Sequence, residues 1–137
     1  ASTTPDPAAP AAALPPRAEI VFDRVTFGYE PAQPILTDLT LTIAPGERVA
    51  FVGPSGAGKS TLTQLLLRLY DPQSGSVRVG GVDIRQVAGA SLRRHFGVVP
   101  QDPFVFNTTL RDNLRVARPD ATDAAIRLAC EQANAWE

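Results

Sequence analysis

Residues 53–60, Gly53-Pro54-Ser55-Gly56-Ala57-Gly58-Lys59-Ser60, follow a short apolar run and precede a leucine-rich stretch with helical spacing. A backbone that wraps its N–H groups around phosphate oxygens needs glycine where a side chain would clash and where φ must be positive. Gly53, Gly56 and Gly58 supply that freedom. Lys59, the single lysine among the 13 basic residues, can reach the β- and γ-phosphates as a point charge. The Ser60 hydroxyl can ligate Mg²⁺, and the following helix aims its positive N-terminal end at the anion. Without its flanks the segment is a glycine-rich turn with an incidental lysine; with a strand before and a helix after, it predicts a phosphate-binding loop for a nucleoside triphosphate.

The flanks predict both elements. Arg48, Val49, Ala50, Phe51 and Val52 form a nearly continuous apolar run, the pattern of a parallel strand buried on both faces. Leu62, Leu65, Leu66 and Leu69 recur at i, i+3, i+4 and i+7, which predicts an amphipathic helix with one face on a sheet, stopped by Asp71-Pro72. Residues 20–27 read as a strand rich in β-branched and aromatic side chains, and residues 39–43 alternate as a half-buried strand does. Residues 30–34 form a loop between them, and Ala44-Pro45-Gly46-Glu47 reads as a turn. Val77-Arg78-Val79 and Val82-Asp83-Ile84 predict a hairpin across Gly80-Gly81. A short helix over 91–95 leads into Phe96-Gly97-Val98-Val99, read as another buried strand. Thr122 or Asp120 caps a last helix with Ala125, Ile126, Ala129 and Cys130 on one face. The fold class is α/β, with antiparallel strands around a parallel phosphate-loop strand, and ligand sites of such sheets lie off the carboxyl ends of the strands.

Composition narrows the partners. A chain of 137 residues with 44% hydrophobic and 20% charged residues can bury a core. The net charge of −1 argues against non-specific nucleic-acid binding, and the clusters Arg93-Arg94 and Arg111 with Arg115 are too small to form a basic stripe. Cys130 has no partner for an internal disulfide and reads as a packed thiol in a cytosolic protein. No apolar stretch approaches the ~20 residues of a membrane span, and no signal-peptide profile is present, so the chain reads as soluble. Residues 1–18 are rich in Ala and Pro, which predicts a disordered or semi-extended linker to something upstream; the absence of methionine agrees.

Two further segments narrow the phosphate loop to one family. Val25-Thr26-Phe27-Gly28-Tyr29, followed by Ile35-Leu36, lies ahead of the loop, and residues 98–114 read VVPQDPFVFNTTLRDNL. Together with residues 53–61 they resemble, in order and spacing, the nucleotide-binding domain of ATP-binding cassette transporters, most of all the exporter type. The resemblance runs from Glu19 to the end of the chain. It implies a P-loop NTPase core with an antiparallel β subdomain, and it implies that Gly53, Pro54, Ser55, Gly56, Ala57, Gly58, Lys59, Ser60 and Thr61 hold ATP with Mg²⁺. Tyr29 takes the place of the family's aromatic residue stacked on adenine; its alternative is an ordinary tyrosine at a strand end. Gln101 takes the place of the glutamine that contacts Mg²⁺ and the attacking water; its alternative is a solvated loop residue. Lys59 and Gln101 are thereby the catalytic candidates, and Ser60 and Gln101 the metal candidates.

The implied partners are a transmembrane domain, on the same chain in exporters, and a second nucleotide-binding domain, at the cytoplasmic face of the plasma (inner) membrane. Phe104, Val105 and Phe106 resemble the surface that docks helices of the membrane domain; three adjacent large apolar residues in a loop cannot all face one core, though they can also pin the loop to its own domain. His95 does not match the family's switch histidine, which follows an acidic strand. The family's signature segment and Asp-Glu strand have no counterpart here, and Asp102 and Asp112 lie in the wrong context to replace them. Residues from about 115 onward, with the last helix from about Thr122, resemble the start of the helical subdomain, cut off midway. The chain alone is therefore expected to bind nucleotide weakly and not to hydrolyse it. Two other readings stay open: a stand-alone nucleotide-binding module, and a different P-loop enzyme such as a small-molecule kinase. The second needs an acceptor pocket and leaves residues 101–114 unexplained.

Overall fold

The computed structural model describes residues 4–8 and 14–136, which fall into two compact units, Ala1–Gly97 and Val98–Glu137. The first is built on a four-stranded sheet in the order β2-β1-β3-β4, with β1 Ile20–Phe27, β2 Leu36–Ile43, β3 Ser74–Val79 and β4 Val82–Asp83. All three pairings are antiparallel. Ile20 faces Ile43 on one side and Val79 on the other, and Phe22 faces Leu41 and Val77. One sheet face therefore collects the apolar side chains, and Leu62 and Leu65 of the first helix pack into the same cluster.

Strict alternation cannot produce this face. Phe22 and Val25 have opposite parity, so in a regular strand one of them would point to solvent. The chain inserts a residue at Arg24, φ 47°, where the register with both neighbours shifts. Phe22, Val25 and Phe27 are then all buried. A matching irregularity at Asp38, φ 50°, phases Leu36 with Leu39 on β2. Each bulged amide finds a threonine on the opposite strand: Arg24 N–H donates to Thr40 Oγ1 at 3.3 Å and Asp38 N–H to Thr26 Oγ1 at 3.1 Å. Gly75 on β3 closes the arrangement, because a Cβ there would lie 2.3 Å from the Arg24 carbonyl oxygen.

The hairpin predicted across Gly80-Gly81 is present, with φ 59° and 79° at its two central residues, the signs a two-residue turn of this hand requires. Its second strand is only Val82–Asp83, after which Ile84–Gln86 turn as a 3₁₀ segment. Ala44-Pro45-Gly46-Glu47 is a turn as well, with Glu47 N–H donating to the Ala44 carbonyl at 3.1 Å. Helix α2 spans Gly89–Arg93, two residues earlier than predicted, and His95 lies just beyond it.

Three expectations need correction. The sheet contains no parallel strand. Residues 48–52 and 96–99, predicted as buried strands, are assigned to no strand, and Val52 and Val99 are 92% and 95% exposed. A parallel strand exists only by pairing, and among the described residues nothing pairs with either run. Helix α1, Lys59–Leu66, ends before Asp71-Pro72. Its stop is a left-handed residue, Arg68 at φ 51°, with Arg68 N–H donating to Leu65 O and Leu69 N–H to Gln64 O, both at 2.9 Å. Arginine replaces the usual glycine there because its side chain, 6% exposed, is held by Asp71 Oδ1 at 3.1 Å, Val87 O at 3.3 Å and Pro5 O at 3.0 Å. That network outweighs the roughly 1–2 kcal/mol the conformation costs a non-glycine residue.

The N-terminal segment is described only in part. Residues 4–8 and 14–18 form no helix or strand, yet they are packed rather than free. Thr4 Oγ1 donates to Arg68 O at 3.0 Å, Asp6 Oδ1 accepts from Gly89 N–H at 2.8 Å, and Leu14 is buried in the core. Residues 1–3 and 9–13 lie outside the described residues.

The second unit holds α3 Leu110–Ala117 and α4 Asp123–Gln132. Thr122, of the two predicted caps, takes the Ala125 N–H at 3.2 Å, and Cys130 is buried as a packed thiol. Arg115 Nη2 donates to Asp123 Oδ1 at 2.9 Å and joins the helices. Thr109 caps α3 by accepting from Asp112 N–H at 3.1 Å, while Asp112 Oδ2 accepts from the hydroxyls of Thr109 and Thr108 at 2.7 and 3.0 Å.

Gly75→Ala is expected to lower unfolding free energy by about 3 kcal/mol in denaturant titration, because the added methyl meets backbone and φ is +81°. A second outcome follows from Asp112, whose carboxyl is held below its ordinary value of 3.8 first by the Thr109 hydroxyl and then by that of Thr108. A depressed folded-state pKa gives stability that is complete above the ordinary value and lost as pH falls through the depressed one. Amide-exchange protection in the first turn of α3 should therefore fall as pH is lowered below that value, and Asp112→Asn should abolish this pH dependence.

Candidate nucleotide-binding site

The glycine-rich loop folds as its spelling requires. Gly56 and Gly58 take φ 83° and 84°, and Gly58 sits at the N-cap of α1. Gly58 answers a second constraint: a Cβ there would lie 2.8 Å from Leu36 Cδ2 and 3.0 Å from Ile35 Cγ2. The base of the loop thus rests on the beginning of β2. At Gly56 no atom lies within 4 Å of a built Cβ, so that side of the loop opens to solvent.

Helix α1 begins at Lys59 without a side-chain cap and without an acidic residue in its first turn. The first N–H groups of a helix have no intrahelical acceptor, so those of the first turn, with the helix dipole behind them, are available to an anion. The Lys59 ammonium donates to Gly53 O at 2.8 Å and Pro54 O at 2.7 Å, which folds the side chain back across its own loop. An ammonium has three N–H donors, so one remains beyond these two.

Tyr29 stands at the same cleft. A hollow of about 220 Å³ is lined by Tyr29, Ile35, Ser55, Gly56, Gly58, Lys59, Ser60 and Thr61. Tyr29 is 49% exposed as a residue, and its ring makes T-shaped contacts with Phe27 and Tyr70, each at 5.3 Å between centroids. Its hydroxyl donates to Gln64 Oε1 and lies 3.3 Å from Thr61 Oγ1. A nucleotide needs an anion cradle and an apolar face for the base within one hollow, and the chain supplies both. The donor set also suits Mg²⁺ carried by a polyphosphate. Mg²⁺ keeps several waters and takes few protein ligands, so a hydroxyl such as that of Ser60, which lines the hollow, fits such an ion.

Tyr29, Gly53, Pro54, Ser55, Gly56, Ala57, Gly58, Lys59, Ser60 and Thr61 all belong to the first unit. Gln101 belongs to the second, exposed at a bend after residues 98–100, which form no helix or strand. Phe104, Val105 and Phe106 are exposed, with the two phenylalanine rings edge to face at 4.9 Å. Asn113 fastens this loop to α3, accepting the Phe106 N–H at 2.7 Å and donating to the Phe106 carbonyl at 3.0 Å. His95, as expected of a helix-end residue, takes no part in the cleft; its Nε2 lies 2.9 Å from the Leu14 carbonyl. Sequence reasoning missed Gln64 and Tyr70. Gln64 carries no motif, and its only signal is the i, i+3 spacing from Thr61, which gains meaning once Tyr29 is known to lie above both.

A glycine-rich loop closing onto a helix N-terminus, with an aromatic ring across the cleft, defines a phosphate-loop nucleotide-binding protein. The ABC transporter family matches residues 36–136. The chain is 51% identical over 118 residues to a β-(1→2)glucan export ATP-binding/permease protein of Bradyrhizobium diazoefficiens, covering 86% of this chain and 20% of that protein. It is 53% identical over 119 residues to the mitochondrial iron–sulfur clusters transporter of Neurospora crassa, covering 87% and 17%. Among solved structures, a bacterial Atm1-family ABC exporter with ATP bound superposes with a TM-score of 0.87 at 44% identity, over 96% of this chain and 23% of the other. The chain belongs to the ABC transporter family and corresponds to the N-terminal part of the nucleotide-binding domain of its exporters. It spans about a fifth of the length of these relatives. No described helix is long and apolar enough to cross a membrane.

Proposed function

We propose that this chain holds ATP with Mg²⁺ in the cleft between Tyr29 and residues 53–61, as the ATP-binding part of an exporter that couples nucleotide binding and hydrolysis to transport. The observation that carries this reading is the single hollow lined by Tyr29, Gly56, Gly58, Lys59 and Ser60. The loop amides and the α1 N-terminus bind phosphate oxygens. Lys59 exchanges its bonds to Gly53 O and Pro54 O for oxygens of the β- and γ-phosphates, and the Tyr29 ring supports adenine by stacking, worth about 1–3 kcal/mol in comparable base contacts. Ser60 and Gln101 would hold Mg²⁺, which when bound neutralises charge on the phosphoryl oxygens. Gln101 orients the attacking water.

The partners proposed are a second nucleotide-binding domain and a transmembrane domain, with the assembly at the cytoplasmic face of the membrane. The exposed Phe104, Val105 and Phe106 support docking of membrane-domain helices, since Asn113 fastens their loop while the rings remain outside. The two relatives are similar to this chain to nearly the same degree yet are named for unlike cargo, a glucan and iron–sulfur clusters. The shared region therefore supplies the energy-coupling chemistry, and cargo choice lies elsewhere.

Lys59→Ala is expected to weaken ATP binding by at least tenfold in calorimetry on the intact protein; equal affinity for variant and parent would remove the assigned site. Gln101→Ala should leave affinity within about threefold and lower ATP hydrolysis by roughly 10²-fold or more, the range for losing one group that positions a reactant.

A further inference from the structure

We propose that Gln64 is a positioning residue for the base: it fixes the Tyr29 ring through the phenol oxygen and ties the base platform to the helix that carries the phosphate site. The inference rests on the reading of this cleft as a nucleotide site. Tyr29 is half exposed at the end of a strand, where a ring with two free torsions would otherwise sample several tilts. Phe27 and Tyr70 meet the ring in T-shaped contacts, at 5.3 Å each between centroids. Neighbouring rings oppose rotation about the long axis but leave the far end of the ring free to swing about χ1. The hydroxyl removes that freedom. A phenol has one proton, and it goes to Gln64 Oε1, so the Thr61 hydroxyl 3.3 Å away donates to the phenol oxygen. The ring is thereby bound at both ends.

The location of the anchors matters as much as their chemistry. Thr61 and Gln64 stand three residues apart on α1 and so share one helix face. The first turn of that helix carries Lys59 and Ser60. Ring and phosphate cradle are thus mounted on one short rigid element, and the span between base and phosphates is set by α1 rather than by the loop that carries Tyr29. Thr61 lines the hollow, whereas Gln64 does not, so Gln64 acts on a bound nucleotide only through Tyr29. It should affect recognition of the base and leave recognition of the phosphates alone.

The test compares two probes, ATP and inorganic tripolyphosphate, the second having no base to stack. Affinities are measured on the intact protein for the parent, Gln64→Leu, Tyr29→Phe, the double variant, Gln64→Glu and Lys59→Ala. Gln64→Leu should weaken ATP about fivefold, the size of one lost hydrogen bond, and Tyr29→Phe, which also loses the bond from Thr61, at least as much, while tripolyphosphate changes less than twofold in each. The double variant should be no weaker than Tyr29→Phe alone, because that variant already lacks the bond to Gln64. Gln64→Glu keeps an acceptor for the phenol proton, and its added charge acts on both probes, so the ratio of the two affinities should return to the parent's. A fold defect would weaken both probes together. An unchanged ratio in Gln64→Leu, additive losses in the double variant, or a ratio in Gln64→Glu like that of Gln64→Leu would overturn the proposal. Failure of the underlying site is read separately: it shows as Lys59→Ala binding tripolyphosphate as tightly as the parent.

Discussion

The extra residue at Arg24 is the constraint on which the first unit depends. A strand changes side at every residue, and the apolar residues of β1 do not follow that rhythm across positions 22 to 25. By bulging, the strand turns Val25 and Phe27 to the same face as Phe22 and buries all three. Everything downstream inherits that phase. Phe27 faces the core and meets the Tyr29 ring in a T-shaped contact, Gly28 makes the tight passage between them, and Ile35 N–H returns to Phe27 O at 2.7 Å. That return sets Ile35 and Leu36 under Gly58, where the phosphate loop rests. A bulge in the first strand thus places both walls of the cleft.

The devices that hold the bulge are local and polar. Thr26 and Thr40 give hydroxyl acceptors to amides that the ladder has abandoned, so neither bulge leaves an orphaned donor. Gly75 permits the third strand to pass close enough to pair. The same logic recurs at Arg68, where an unfavourable left-handed residue ends α1 because its guanidinium is held from several directions at once. In both places backbone strain is offset by hydrogen bonds from residues distant in sequence.

Much of the site was legible because its requirements are local. Glycines at 53, 56 and 58, a lysine at 59 and a leucine-spaced helix specify a loop geometry almost independently of the rest of the fold, and the structure has that geometry. The hairpin at Gly80-Gly81 and the cap at Thr122 were legible for the same reason. What failed were the inferences for residues 48–52, for residues 96–99 and for the helix stop, each of which needed a partner distant in sequence. Residues 48–52 and 96–99 have the composition of central strands, but hydrogen bonds to neighbours make a strand, and no described segment provides them. The helix stop was assigned to Asp71-Pro72 from local rules, while the operative stop at Arg68 draws on contacts with Pro5 and Val87.

By itself, then, the sequence determined the elements whose energetics close within a few residues: the phosphate loop and its lysine, the sign of φ at its glycines, the two-residue turn and the helix cap. It also determined the family, since three motifs in order are specific without any coordinates. Only the tertiary structure decided the phase of β1, the packing of the N-terminal residues through Thr4, Asp6 and Leu14, and the anchoring of Tyr29 on Gln64. Those outcomes depend on which distant groups share a hydrogen bond or a buried surface, and residue type carries no record of that distance until the chain is folded.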